Sequence, residues 1–190
     1  MSAQWVPGLG YAFMISEVAL AVVRRSRASS SRSADRGSLV LLWMVIVISI
    51  TFAYSFAYSA PRATMDPGVA PSLRIVGLVV FLAGLALRWY AIIYLGRFFT
   101  VNVAIASDHR VIDTGPYRYI RHPSYTGALM AFLGLGLCLA NWLSLACATL
   151  PTLCVFLWRI RVEEAALLGA LGGKYREYMR VTRRLIPAIY

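Results

Sequence analysis

The sequence predicts an all-α integral membrane protein with five transmembrane helices, the last two paired as a tight hairpin. Three observations carry that reading. Hydrophobic residues make up 59% of the 190 and the mean hydropathy is +0.67, against about half apolar in a soluble domain. Only 14% are charged, where about a quarter is usual. The basic residues behind the formal charge of +11 gather at the ends of uncharged runs, as the rule that keeps positive loops in the cytoplasm requires. No soluble segment is left to carry a basic patch, which excludes nucleic acid as a partner.

An uncharged run of about 20 residues lets a helix cross roughly 30 Å of hydrocarbon with its backbone polar groups paired internally. Residues 5–23 form the first span although they contain Glu17. Arg24, Arg25 and Arg27 follow this run and no basic residue precedes it, the pattern of an uncleaved helix and not of a signal peptide. Residues 39–60 are the cleanest span. Residues 73–95 form the third, with Arg74 and Arg88 near its ends, where long side chains snorkel to the interface.

Residues 126–158 contain no charge and amount to about 50 Å of helix. That is too long for one crossing and enough for two short ones, 126–140 and 143–158, turning at Asn141 and Trp142. A single tilted helix would strand Arg159, Arg161, Lys174, Arg176, Arg180, Arg183 and Arg184 on the face opposite the other basic loops. The hairpin therefore places the N-terminus outside and leaves 24–36, 97–125 and 159–187 in the cytoplasm. The whole chain, 1–190, reads as one domain.

Cys138, Cys147 and Cys154 lie within apolar runs and show neither CxxC nor Cys/His ligand spacing, so they read as packing residues and no metal site is expected. Glu17, the one acid within a span, reads as neutral or as a partner of Arg74 or Arg88.

Polar chemistry concentrates in two cytoplasmic segments, 97–125 and 159–187. Both histidines, His109 and His122, fall in the stretch HRVIDTGPYRYIRHPSY at 109–125. Thr114, Gly115 and Pro116 make a turn, and Pro123 suits the first turn of the fourth span. That helix would begin at the membrane edge with unpaired N–H groups and a positive dipole end, a natural seat for an anionic ligand group. Arg121 and His122 would add charge and donors there. Arg159 and Glu163, four apart, share one helix face where the fifth span leaves the membrane. After Gly172 and Gly173, residues 174–184 set Tyr175, Tyr178 and Met179 on one side and basic groups on the other, as a short interfacial helix would. These elements together predict a cytoplasmic-face pocket.

With these residues in view, the chain resembles the isoprenylcysteine carboxyl methyltransferase family of integral membrane enzymes. The matching elements are 109–112, GPYRYIRHPSYTG at 115–127, Arg159 with Glu163 and Glu164, and GGKYREY at 172–178. The resemblance implies S-adenosyl-L-methionine as cofactor, held by Asn102, His109, Arg110, Val111, Ile112, Tyr117, His122, Pro123, Ser124, Tyr125 and Glu163. Asn102 stands where the family usually has a glutamine. Arg159 would face the acceptor and, with Glu163, form the catalytic pair. The implied acceptor is lipid-like, foremost a prenylated cysteine carboxylate drawn from the surrounding membrane lipids. A lipid amine N-methyltransferase and an NADPH-dependent sterol or polyprenyl reductase share parts of the pattern, and a non-catalytic membrane adaptor is a further class. Eighteen arginines against the single Lys174 suggest a GC-rich genome, hence a bacterial inner membrane.

Overall fold

A computed structural model describes residues 5–25, 36–96 and 111–187. Among the described residues six helices follow one another: α1 (Val6–Arg25), α2 (Arg36–Ser59), α3 (Ala70–Leu95), α4 (Pro123–Leu139), α5 (Trp142–Leu171) and α6 (Gly173–Val181). Short 3-10 turns at Pro61–Ala63 and Gly115–Arg118 precede α3 and α4. Among the described residues, extended pairing is limited to two isolated bridges, Thr64 with Asn141 and Ile120 with Arg183.

By length and composition, Leu39–Ser59, Ala70–Leu95 and Trp142–Leu171 are apolar enough to cross a membrane, while Val6–Leu20 and Pro123–Leu139 are shorter apolar helices. The fifth expected span, 143–158, differs most from what is found. Here α5 continues unbroken for 30 residues to Leu171, about 45 Å, so Arg159, Glu163 and Glu164 ride on a helix already rigid from its apolar half.

The break between α4 and α5 falls at Ala140 and Asn141, one residue earlier than expected. Ala140 adopts a left-handed φ of 50° as the C-cap of α4. Asn141 then starts α5, its side-chain oxygen accepting from the Ser144 N–H at 3.1 Å, the usual service of an asparagine N-cap. Its amide nitrogen donates to the carbonyls of Phe56 at 3.3 Å and Ala60 at 3.0 Å. One fully buried side chain thus ends α2 and begins α5.

At this same turn end, the Met65 N–H bonds the Ala140 carbonyl at 2.9 Å and the Tyr54 hydroxyl donates to the Val6 carbonyl at 2.9 Å. The α2–α3 connection, the α4–α5 turn and the start of α1 therefore share one end of the bundle. The core between the ends is Phe13, Ile46, Phe81, Phe132, Leu135 and Phe156, with Phe13 and Phe132 rings 4.7 Å apart.

Helices α3 and α4 touch backbone to backbone. A Cβ added to Gly84 would lie 2.5 Å from the Gly127 carbonyl oxygen, and one on Gly134 the same distance from that of Gly77. Two glycines seven residues apart on each helix therefore make a seam that no larger side chain fits, the close approach that small residues permit between apolar helices. The seam fixes the start of α4 beside Arg88, since a Cβ on Gly127 would fall 2.6 Å from the Arg88 backbone nitrogen.

Candidate active site

At the end opposite the α4–α5 turn, α4 begins with His122 as N-cap and Pro123 as its first residue. The chain beyond α6 runs beside this start. The Arg121 N–H donates to the Arg183 carbonyl at 2.7 Å, the His122 N–H to the Arg184 carbonyl at 3.0 Å, and the Thr126 hydroxyl to the Leu185 carbonyl at 2.7 Å. The strap 182–185 thereby occupies donors that the sequence reading had assigned to an anionic guest.

The Arg121 side chain is also committed inward. Its Nε donates to Glu164 Oε1 at 2.8 Å, and its Nη1 to the carbonyls of Met179 at 3.2 Å and Thr182 at 2.5 Å. His122 Nε2 lies 3.4 Å from the same Glu164 oxygen, and Arg184 Nε donates to the other at 2.9 Å. Glu164, 3% exposed, is the buried hub that gathers these three cation-capable groups. Taking such charges from water costs several kcal/mol each, and only mutual pairing offsets it. The doubled acid was the available signal: neighbours on a helix point about 100° apart, so Glu163 and Glu164 must serve different surroundings.

Glu163 faces the other way, into the bundle. It accepts from the Tyr125 hydroxyl at 3.1 Å. Arg159, one turn earlier and 2% exposed, interacts with the same phenol. The Tyr125 ring packs between His122, at 5.8 Å, and Phe156, at 5.2 Å. The connector before α4 and the exit of α5 therefore meet at one face of the bundle.

A second buried ion pair borders this space. Arg88 donates through Nε and Nη2 to the two oxygens of Glu17, at 2.5 and 2.6 Å, and through Nη1 to the Ser124 carbonyl at 3.1 Å. Arg88 was expected to snorkel outward; it turns inward because Glu17 of α1 supplies the counter-charge. This decides the partner of Glu17 in favour of Arg88 over Arg74.

Tyr117, Arg121, His122, Ser124, Tyr125, Arg159 and Glu163 line one cleft with Glu17 and Arg88, and Phe13, Leu20, Leu39, Leu42, Trp43 and Ile46 supply its apolar side. The enclosed space is about 80 Å³, below the roughly 300–1,000 Å³ of pockets that take a drug-sized ligand. A guest larger than a few waters must displace part of the lining.

Val111, Ile112 and Pro123 are not among the described residues of that lining; the first two are half-buried and Pro123 is buried. Asn102, His109 and Arg110 lie outside the described residues. Tyr117 donates to the Ala91 carbonyl at 3.2 Å, and its own carbonyl accepts from the Tyr178 hydroxyl at 2.6 Å. Burial pushes the phenols of Tyr117, Tyr175 and Tyr178 above the ordinary tyrosine value, so each stays neutral, and Tyr117 and Tyr178 donate. Tyr175 and Tyr178 are buried, and the apolar side of α6 therefore packs on protein, not on bilayer as an interfacial helix would.

The sequence profile of the isoprenylcysteine carboxyl methyltransferase (ICMT) family matches residues 75–169, half of the chain, from the first turns of α3 through nearly all of α5. The protein belongs to this family. A probable protein-S-isoprenylcysteine O-methyltransferase of Oryza sativa subsp. indica is 35% identical over 116 residues, 60% of this chain and 61% of the relative. The Xenopus laevis protein-S-isoprenylcysteine O-methyltransferase is 33% identical over 149 residues, 74% of this chain and 52% of its own. The solved structure of a eukaryotic intramembrane Ras methyltransferase, ICMT, superposes with a TM-score of 0.67 at 29% identity, covering 90% of this chain and 61% of that one. The chain thus spans about half to three-fifths of these relatives. Its all-helical fold is that of the ICMT membrane proteins, and α1, α2 and α6 lie outside the matched profile.

Proposed function

We propose that this ICMT-family member methylates the carboxylate of a prenylated cysteine or a similar lipid-like acceptor, with S-adenosyl-L-methionine as methyl donor. The observation that carries the reading is the Tyr125 to Glu163 contact beside buried Arg159, in a cleft polar on one side and apolar on the other. The residues present suit the cationic part of the cofactor: Glu163 is an acid, and Tyr117 and Tyr125 offer aromatic faces, for its ammonium and sulfonium. When bound, the cofactor supplies an activated methyl group.

In this reading Glu163, Tyr125, Tyr117, His122, Pro123 and Ser124 hold the cofactor, together with Asn102, His109, Arg110, Val111 and Ile112. Arg159 orients the acceptor carboxylate. That carboxylate is already ionised at neutral pH, so no residue has to remove a proton, and the protein's contribution is alignment. Tyr125 and Phe156 exclude water from the polar side, which leaves the attacking oxygen less solvated. The prenyl chain lies along Phe13, Leu42, Trp43 and Ile46. The reading has five membrane crossings with α4 and α5 as a hairpin, and sets the cleft at the cytoplasmic face of a bacterial inner membrane.

Purified protein incubated with methyl-labelled cofactor and, in parallel, farnesylcysteine, an aminophospholipid or a plain fatty acid should label farnesylcysteine. Calorimetry should show cofactor binding that Glu163→Ala and His122→Ala each abolish. Unchanged affinity in both variants overturns the site assignment, and thermal stabilisation by NADPH but not by S-adenosylmethionine overturns the reaction.

A further inference from the structure

The end of the bundle away from the cleft contains a separate groove of about 480 Å³, where the start of α1, the end of α2, the start of α3 and the end of α4 converge. Its wall is apolar at Val6, Pro7 and Leu139 and carries a guanidinium, Arg74, beside Cys138 and Tyr58. Arg74 Nε is buried and has no hydrogen-bond partner among the described residues. A buried N–H left unpaired is costly, and a charged one more so. Native structures rarely leave one without a reason.

We propose that this groove binds an anionic phospholipid, its phosphate on Arg74 and its acyl chain against Val6, Pro7 and Leu139. Arg74 stands in the second turn of α3, and helical side chains lean towards the N-terminal end, which puts the guanidinium at headgroup depth. Its planar fork matches phosphate oxygens. Among the described residues, the remaining charges of this end are Arg62, exposed in the turn after α2, and Asp66, whose carboxylate accepts from the Gly68 N–H. The local balance is positive, favouring an anionic headgroup over a zwitterionic one. The ligand would also fasten α1, whose first residues, Val6 and Pro7, form part of the groove and are otherwise tied to Tyr54.

The test uses the full chain in detergent, stripped of lipid, with phosphatidylglycerol, phosphatidylcholine or inorganic phosphate added separately. Native mass spectrometry should retain one phosphatidylglycerol per chain, and that lipid should raise the melting temperature by roughly 5 °C near saturation. Arg74→Gln should weaken retention roughly tenfold or more, and Ala57→Trp, which fills the groove and spares Arg74, should do the same while melting like the parent in phosphatidylcholine. Equal retention of phosphatidylglycerol by parent and both variants overturns the site. Equal effects of the two lipids overturn the headgroup assignment, and full stabilisation by inorganic phosphate alone overturns the lipid.

Discussion

The two ends of this helical bundle satisfy their polar groups by opposite means. At the turn end, Asn141 serves three backbone partners on α2 and α5 with a neutral amide. At the cleft end, Glu164 gathers Arg121, His122 and Arg184, and Glu17 holds Arg88. A neutral cap is cheap to bury, whereas an ionic cluster carries a desolvation cost that apolar residues of equal volume would avoid. At the cleft end the chain carries that cost on acids that each hold their cations by direct ion pairs. The turn end organises the fold, and on the proposed function the cleft end organises chemistry.

This contrast breaks first at Glu164. Glu164→Ala leaves Arg121, His122 and Arg184 without their acid and should destabilise by about 3–5 kcal/mol, read as loss of thermal stability and of cofactor binding together. Gly127→Ala, which drives a Cβ into the backbone of Arg88, should cost about 1–3 kcal/mol and shift the start of α4, so it too should weaken binding. Asn141→Ala, at the other end, should cost about 1–2 kcal/mol with cofactor affinity per folded molecule unchanged. Equal losses of affinity in Glu164→Ala and Asn141→Ala would erase the distinction between the ends. Tyr125→Phe removes the hydroxyl that Glu163 and Arg159 share and should cost about 1 kcal/mol of stability while lowering cofactor affinity roughly tenfold, measured by calorimetry. Lys174→Ala, on the exposed side of α6, should change stability by no more than about 0.5 kcal/mol.

Helix α2 was legible in the sequence because an uncharged run long enough to cross hydrocarbon is a signal that neighbours cannot override, and α3 was legible because its two arginines, Arg74 and Arg88, stand towards the ends of an otherwise apolar stretch. The meeting of 115–125 with Arg159 and Glu163 was legible too, since charge placed both segments on one membrane face. What escaped was pairwise. The sequence offered both Arg74 and Arg88 as partners of Glu17 but could not choose between them, because the acid lies 71 positions from Arg88 on α1. Glu164 stood in the sequence only as part of the family pattern, and nothing local announces that the strap 182–185 returns to complete its cluster. The glycine seam escaped for a related reason: Gly77 and Gly84 pass as ordinary members of an apolar run until Gly127 and Gly134 are set against them.

That seam has a mechanical consequence. Helices in backbone contact cannot slide apart gradually, so α3 and α4 behave as one stiff plank, and the room a large guest requires must come from movement of α1, α2 and α5. Those three face lipid over much of their length, with Ile15, Val18, Met44, Ile48, Phe52 and Leu150 exposed. On the proposed function, turnover should therefore respond to the elasticity of the surrounding bilayer, slowing where acyl chains are stiff and quickening where they are fluid.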